Sequence, residues 1–178
     1  MKLKQCLMLS LIVTVLPFAA NWKADTANAK VDFTVKGPFG TVHGSFSGLK
    51  ATIKFDEKDL AGSELIASID VKTVSTGVGL RNKDLRNKDI WFNAAKFPMI
   101  SFKSKKIRKT ASGFSAMGDL TIKGITKEIE IPFTFTGKGD SGIFKGQFHI
   151  NRQEYKVGNK GGSVGDDITI NLEVPTKK

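Results

Sequence analysis

The regular alternation of apolar and polar residues along most of this chain is the feature that most limits its fold. From Glu128 to Thr136 every second residue is apolar, and the apolar positions are Ile129, Ile131, Phe133 and Phe135. A two-residue period places such side chains on one face of a β-strand. Similar segments recur eight or nine times with short connections, so the sequence predicts an all-β, antiparallel domain that buries one face of its sheet.

Glycines on the apolar side of a strand indicate how that face is buried. Gly44 and Gly48 alternate with polar residues on the same predicted face as Val42 and Phe46. This pattern is typical of the tight curvature or the close backbone approach that a closed barrel requires. A sheet with one apolar face must either close on itself or pack as a sandwich. We expect closure into an eight-stranded antiparallel, lipocalin-like barrel, with a strand edge or bulge at Pro132. Such a barrel is either filled by its own side chains or holds one slim ligand, and the sequence leaves both options open.

One stretch, Thr76 to Ser104, departs from the alternation. Its apolar residues, from Leu80 to Phe92, lie among Arg, Asn, Lys and Asp at a spacing that predicts one short helix followed by a loop. Phe97-Pro98 then returns the chain to a strand. Long connections in compact domains are often lids or binding loops, so we expect this segment to close or rim the mouth of the barrel. The alternative is a surface excursion with no ligand role.

The first 20 residues have the pattern of a secretory signal peptide. Lys2 and Lys4 precede an uncharged run from Leu7 to Ala20, which is too short to span a bilayer. We place the cleavage after Ala20, although Ala27-Asn28-Ala29 offers a second small-x-small site. Residues 21–178 are then one barrel domain, located in the periplasm or outside the cell in a host without an outer membrane.

The residue types that support metal or covalent chemistry are scarce. Cys6 is the one cysteine and precedes the apolar run, which excludes disulfides and thiolate metal sites from the mature chain. His43 and His149 fall on separate strands, so no metal site is expected. No nucleophile elbow, phosphate loop or His-Glu helix occurs. We predict a protein that is not an enzyme and has no catalytic cofactor; a small lipid hydrolase or isomerase is the enzymatic alternative.

The chain is strongly basic, with 28 Lys and Arg against 17 Asp and Glu and a net charge of +11. An exported basic protein can meet anionic lipid headgroups or phosphates, so we expect an anionic membrane surface as a partner. The alternative is a solvated, lysine-rich barrel exterior. Nucleic acid is not expected, because no basic motif is interleaved with exposed aromatic residues.

An ordered set of short motifs resembles the YceI-like family of exported, lipocalin-like proteins that bind polyisoprenoids. The motifs are Thr76-Gly77, Arg81 to Leu85, Asp89 to Asn93, Phe97 to Phe102 with Ser104, Gly118 to Lys127, Arg152 with Tyr155 and Gly158, and Gly165-Asp166. The resemblance covers Trp22 to Val174. The sequence departs from the family pattern at Asn28-Ala29, where His-Ser is usual, and at Asn82 and Asp84, where Asp and His are usual. These departures concern polar recognition and leave the fold unaffected.

The resemblance implies a hydrophobic barrel channel that binds, stores or transports an isoprenoid lipid, such as an isoprenoid quinone or a polyprenyl phosphate. The candidate ligand-binding residues are Phe33, Phe46, Ile69, Leu85, Phe92, Phe102, Leu120, Ile131, Phe133 and Phe148. Each of them could instead be ordinary core. Arg81 and Arg152 are the candidate headgroup residues; alternatively, they tie the lid to the barrel through Asp84, Asp89 or Asp119.

A second hypothesis assigns the chain to a different class of protein. In this interpretation the protein is a stress-related periplasmic structural or interaction protein. Its barrel is filled by side chains, and its basic exterior carries the function. A homodimer is compatible with either hypothesis.

Overall fold

The computed structural model describes residues 20–178, which form ten β-strands and one α-helix. The strands are β1 (Asn21–Ala24), β2 (Lys30–Gly37), β3 (Gly40–Phe46), β4 (Lys50–Lys54), β5 (Glu64–Asp70), β6 (Met99–Thr110), β7 (Gly113–Ile122), β8 (Ile125–Lys138), β9 (Ser141–Asn151) and β10 (Asp167–Lys177). The helix is α1 (Gly79–Asn87), and short 3₁₀ turns occupy Val71–Thr73 and Arg152–Tyr155. The predicted targeting segment lies outside the described residues, apart from Ala20, and remains a prediction.

Eight of these strands close into a barrel, in the order β1-β4-β5-β6-β7-β8-β9-β10 and back to β1. Every pairing is antiparallel. The β2–β3 hairpin continues the wall, because β10 pairs with β2 along Ile168–Glu173 and with β1 at Thr176 and Lys177. β1 and β2 therefore follow one another along one edge of β10, separated by a turn. The predicted eight-stranded antiparallel barrel with one helical segment is confirmed.

The two ends of the barrel are built differently. Four connections meet at one end, which we call the mouth: the β2–β3 turn at residues 38–39, residues 71–98, the β7–β8 turn at residues 123–124, and residues 152–166. The long interrupting segment predicted from the sequence is the second of these connections, and it contains α1. The opposite end carries the shorter connections at residues 111–112 and 139–140 together with the longer loop at residues 55–63.

An aromatic cluster closes the end opposite the mouth. Phe55 follows β4, is 1% exposed, and packs its ring 5.0–5.6 Å from the rings of Phe114, Phe133, Phe135 and Phe144. All four contacts are edge-to-face, an arrangement worth about 0.5–1.5 kcal/mol per pair beyond area burial. The Trp22 indole N–H donates to the Phe55 carbonyl over 3.1 Å and holds this aromatic cluster, which we call the plug, against β1.

Two local expectations from the sequence are also confirmed. A Cβ at Gly44 would lie 2.2 Å from the Phe33 ring, so glycine at this position lets that ring lie flat over β3. β8 pairs with β7 on one side throughout Ile125–Phe133, whereas its pairing with β9 begins only at Phe133 and Gly146. Pro132 therefore lies at the edge where the second ladder begins, as its missing N–H requires.

Candidate functional site

The barrel is hollow. A cavity of about 690 Å³ runs from the mouth, where Phe39 and Leu80 line it, to Phe133 and Phe144 of the aromatic cluster. Its wall is largely apolar, because the inward positions of the alternating strands carry Val, Ile, Leu, Phe and Ala. The side-chain-filled barrel of the second hypothesis is therefore not what the structure contains.

All ten residues predicted to bind ligand lie on the cavity wall, and so do both predicted headgroup arginines. They are Phe33, Phe46, Ile69, Leu85, Phe92, Phe102, Leu120, Ile131, Phe133 and Phe148, with Arg81 and Arg152. The same wall includes Ile168, Ile170 and Leu172 of β10, which the alternation also assigns to the inner face. Tyr155 and Val157 complete it from an irregular connection where no periodicity could indicate their direction.

Helix α1 and the segment that follows it, residues 79–98, cover part of the mouth, and we call this stretch the lid. Leu85 of α1 and the following Trp91 and Phe92 line the cavity. The Phe92 ring lies 5.9 Å from Phe46 of β3, and Phe46 lies 5.7 Å from Phe33 of β2. A row of three aromatic rings therefore crosses from the lid to the β2–β3 hairpin.

Backbone carbonyls and one amide side chain hold the lid in place. Arg86 Nη2 donates to the Val74 carbonyl over 2.6 Å. The side-chain oxygen of Asn82 accepts from both the backbone N–H and the hydroxyl of Thr76, each at 2.8 Å. Asn82, one of the departures from the family pattern, thus anchors α1 to the chain that precedes it.

The mouth contains a seam in the barrel wall. Among the described residues, the backbone of β3 pairs with the next part of the wall only through the bridge between Ser45 and Ser75, whose two hydrogen bonds measure 2.8 and 2.9 Å. Beside this bridge, the Ser47 N–H donates to the Thr73 hydroxyl over 3.2 Å. β5 pairs with β4 and β6 and has no ladder to β3. The Phe92–Phe46 contact connects the lid to β3, the strand that borders this seam.

The guanidinium of Arg152 binds backbone oxygens of its own connection, residues 152–166. Arg152 is 4% exposed, and its guanidinium donates to the carbonyls of Gly165, Val157, Asn159 and Val164 over 2.7–3.2 Å. It also pairs with Asp166 at 2.9 Å. The carboxylate partners expected for the arginines are wrong: Asp84 pairs with Lys88 and Asp119 pairs with Lys105. Although Arg152 lines the cavity, its main contacts are with backbone oxygens that no sequence motif identifies.

The connection at residues 152–166 also contacts the lid directly. The Gly158 N–H donates to the Ile90 carbonyl over 2.5 Å. A Cβ at Gly158 would lie 2.4 Å from the Trp91 ring and 2.6 Å from Arg152 Nη1, and its φ of +80° is a conformation that favours glycine. The backbone of Gly158 therefore packs directly against the Trp91 ring of the lid.

Tyr155 is a buried polar side chain on the cavity wall. It is 1% exposed, and within residues 20–178 no protein atom forms a hydrogen bond with its hydroxyl. Burial raises the pKa of Tyr155 to about 12, and the charge of Glu154 adds to the shift. The hydroxyl therefore stays protonated at any physiological pH.

The rim of the mouth is apolar and exposed. Phe39 in the β2–β3 turn is fully exposed, while Leu80 and Val78 at the start of α1 are 74% and 45% exposed. All three line the cavity opening. Arg81, the next residue of α1, is exposed beside them, and nothing among residues 20–178 forms a salt bridge with it.

The outer face of the barrel carries solvated ion pairs. Glu173 accepts from Lys145 and Lys30, and these hydrogen bonds hold the pKa of its carboxyl below the ordinary value. The pKa of Lys105 is raised by its hydrogen bonds to Asp119 and Glu128. Exposed pairs of this kind contribute little to stability. Across residues 20–178 there is no group of three or more His, Cys, Asp or Glu side chains that could hold a metal ion, and no helix long and apolar enough to cross a bilayer.

Comparison with known proteins gives the same architecture. The solved structure of BcnA from Burkholderia cenocepacia superposes with a TM-score of 0.80 at 28% identity, covering 86% of this chain and 99% of that one. A YceI protein of Campylobacter jejuni gives 0.69 at 28% identity over 77% of this chain and 85% of that one. A polyisoprenoid binding domain from Saccharophagus degradans gives 0.69 over 90% and 99%, and at 12% identity it shows the fold alone.

The sequence comparisons point to one family. A UPF0312 protein of Yersinia enterocolitica is 29% identical over 165 residues, which cover 88% of this chain and 85% of the relative. Residues 22–176 match the family described as the YceI-like domain, a span that contains the closed barrel and its lid. Together with the fold, this match shows that the chain belongs to the YceI-like domain family.

Proposed function

We propose that this protein is a non-catalytic carrier that binds, stores or transports an isoprenoid lipid in the periplasm after export. The observation that carries the proposal is the apolar cavity of about 690 Å³, which is open at the mouth and closed by the Phe55 cluster. Each 100 Å² of lipid surface that leaves water contributes about 2.5 kcal/mol, so a long tail can be held without directional contacts.

The cavity wall suits a branched, apolar chain. It is a single barrel interior lined from mouth to plug by branched and aromatic side chains. An isoprenoid tail is long, methyl-branched and apolar, which suits such a wall. The structural neighbour from Saccharophagus degradans is described as a polyisoprenoid binding domain, and this description of a protein with the same fold supports the proposal.

Arg81 is the arginine of the two that is available to a headgroup. It is exposed at the mouth beside Leu80, whereas the guanidinium of Arg152 is bound to backbone carbonyls. A headgroup that remains at the mouth, either a quinone ring or a phosphate, would therefore meet Arg81 while the tail fills the barrel.

Native mass spectrometry of protein purified from its own host tests the carrier proposal. We expect a mature chain that lacks about 20 residues and carries an additional mass, which organic solvent releases as an isoprenoid lipid. An unliganded chain that also fails to bind an isoprenoid quinone and a polyprenyl phosphate added in detergent would contradict the proposal. An intact Met1 form in the cytoplasm would contradict export alone.

We also propose that the mouth docks on an anionic membrane surface to exchange its lipid. The exposed rim formed by Phe39, Val78 and Leu80 is continuous with the cavity, so insertion of the rim would bring lipid tails to the opening. The connections around it, residues 38–39, 71–98, 123–124 and 152–166, contain ten basic and four acidic residues. An apolar rim with a basic surround is complementary to anionic headgroups above an acyl layer.

Vesicle flotation tests the docking surface. We expect the double variant Phe39→Ser, Leu80→Ser to lose flotation with vesicles of phosphatidylglycerol and phosphatidylethanolamine, whereas Ile143→Ser keeps it. Ile143 is a suitable control because it is 39% exposed but lies in β9 near the opposite end. Equal flotation of all three proteins would contradict docking, and so would a wild-type homodimer that the rim variant dissociates, because the rim would then contact a second copy.

A further inference from the structure

The seam beside β3 is a strand pairing that stops after one residue pair. Ser45 and Ser75 exchange both backbone hydrogen bonds, so the next such pair in antiparallel register would be His43 with Gly77. Gly77 has φ +71°, outside the range of a β-strand, and α1 begins two residues later. Among residues 20–178, His43 therefore has no strand partner on this side of β3.

The wall around the mouth consists of two halves. The strands β9, β10, β2 and β3 form the β3 half, and β5 to β8 together with the lid form the lid half. The seam separates the halves on one side; on the other, within the described residues, β8 forms no ladder with β9 between Ile125 and Pro132. Near the plug the halves are joined by the rest of the β8–β9 ladder and by β1 and β4. The wall is therefore divided at the mouth and continuous near the plug.

Each half holds its own connections at the mouth. In the β3 half, the Gly165 N–H donates to the Lys36 carbonyl over 2.7 Å and joins the connection at residues 152–166 to β2. In the lid half, a Cβ at Gly124 would lie 2.7 Å from the Phe97 ring, so the end of the lid packs on the β7–β8 turn. These contacts stay intact when the two halves separate.

The hydrogen bonds that cross the mouth between the halves are few. Each neutral hydrogen bond favours the closed state by about 2- to 13-fold. Separation of the halves breaks these bonds and no β-ladder, so the mouth is the part of the wall that opens most easily. Among residues 20–178, the bonds are the two of the Ser45–Ser75 bridge, one from Ser47 to Thr73, one from Gly158 to Ile90, and one from the Lys123 ammonium to the Lys156 carbonyl over 2.7 Å.

The exposed apolar rim lies on both sides of the seam. Phe39 belongs to the β2–β3 turn of the β3 half, whereas Val78 and Leu80 lie at the start of the lid helix, and all three line the opening. We infer that the seam is a lateral gate, through which lipid passes sideways between a bilayer and the cavity when the two halves separate. This inference rests on the proposed carrier function and adds the route by which the lipid enters.

Disulfide locks test the gate, because Cys6 is the one cysteine of the chain and a Cys6→Ser background removes it. Ser45→Cys with Ser75→Cys, the seam lock, cross-links a directly opposed antiparallel pair, whose Cα separation suits a disulfide. The matched control is Thr121→Cys with Thr126→Cys. These two hydroxyls lie 2.8 Å apart in the continuous β7–β8 ladder of the lid half.

Uptake is measured with a benzoquinone that carries an isoprenoid tail, transferred from vesicles of phosphatidylglycerol and phosphatidylethanolamine. The quinone ring quenches the fluorescence of Trp91, which lines the cavity. We expect the oxidised seam lock to lose this uptake and thiol reduction to restore it, whereas the control takes up quinone at one rate in both states. Equal uptake by the oxidised and reduced seam lock would overturn the gate and indicate end-on entry, and so would an equal loss in the control.

Hydrogen exchange of the wild-type protein gives a second test that does not depend on the variants. The gate predicts that the amides of Ser45 and Ser75 exchange faster than those of the β6–β7 ladder, and equal protection would overturn it even if the seam lock does not form. If the wild-type protein takes up no quinone from vesicles or from detergent, the carrier proposal fails, whereas fast exchange at the bridge would still support opening of the seam.

Discussion

A pair of tryptophan substitutions on one rung of the barrel would show whether the interior is empty where the structure places the cavity. Ile131 of β8 and Ile107 of β6 are both buried, and each pairs with Ala116 of β7. Ile131 lines the cavity, whereas Ile107 does not. Ile131→Trp and Ile107→Trp therefore add the same side chain at the same level of the barrel. At position 131 the new ring borders the cavity, whereas at position 107 it lies within packed core.

The expected effects on stability have different signs. At position 107 the larger side chain over-packs the core at a cost of about 1–3 kcal/mol. For a chain of this size that cost lowers Tm by roughly 2–12 °C. At position 131 the added ring enters the cavity of about 690 Å³. Burial of about 50 Å² of extra apolar surface there would stabilise the fold by about 1 kcal/mol.

Thermal melts and lipid content measured on the same samples check this reasoning. We expect Ile131→Trp to keep its Tm within a few degrees of the wild-type value and to lose co-purifying lipid, because the ring occupies ligand space. We expect Ile107→Trp to melt earlier while its lipid content per folded molecule stays unchanged. If Ile131→Trp unfolds as readily as Ile107→Trp, or keeps the full lipid content, the interior is not hollow at this position.

Three further predictions concern the connections at the mouth. In thermal melts and lipid-exchange assays, Gly158→Ala should destabilise the protein and speed lipid release more than Gly161→Ala does. Both glycines have φ above +70°, but only a Cβ at Gly158 would meet the Trp91 ring. Equal losses in the two variants would contradict the lid contact. Arg152→Met should reduce the free energy of unfolding in urea by about 3–5 kcal/mol, since it leaves buried carbonyls without donors; a loss of lipid with unchanged stability would instead indicate a headgroup role. Burial raises the pKa of Tyr155 to about 12 in the folded protein, whereas the ordinary value of 10.0 applies to the unfolded chain. Above pH 10 the unfolded chain therefore loses the phenol proton while the folded protein keeps it, and this difference favours unfolding. Relative to Tyr155→Phe, the wild-type free energy of unfolding should therefore fall by up to about 3 kcal/mol between pH 10 and 12, and parallel curves would contradict the burial.

The inner wall of the barrel could be predicted from the sequence because it follows from strand periodicity. Ile131 and Phe133, like Leu120 and Phe102, alternate with polar neighbours, and a strand has only two faces. Whether that inner face surrounds space or packed atoms depends on how the strands are paired and tilted around the ring, and the alternation is identical in both cases. The cavity therefore became visible only in three dimensions.

The polar contacts of the site were less predictable for a different reason. Arg152 was expected to meet a lipid headgroup or a carboxylate on the lid or barrel, but most of its acceptors are main-chain carbonyls, which every residue possesses and no motif marks. Tyr155 lies in a single 3₁₀ turn, where neither the period of a helix nor that of a strand applies. Sequence patterns thus indicate regular elements well and irregular connections poorly.

The way in which the ring closes has a consequence for when this protein can fold. β1 near the start of the described chain pairs with β10 near its end, through Ala24 and Thr176. Pairings between strands so distant in sequence carry a large loop-closure entropy and slow the folding of all-β proteins. The barrel cannot close until Asp167–Lys177 has been synthesised, so the growing chain stays open until β10 is complete. A chain that folds this late can pass an export channel in an extended form and complete its barrel on the other side.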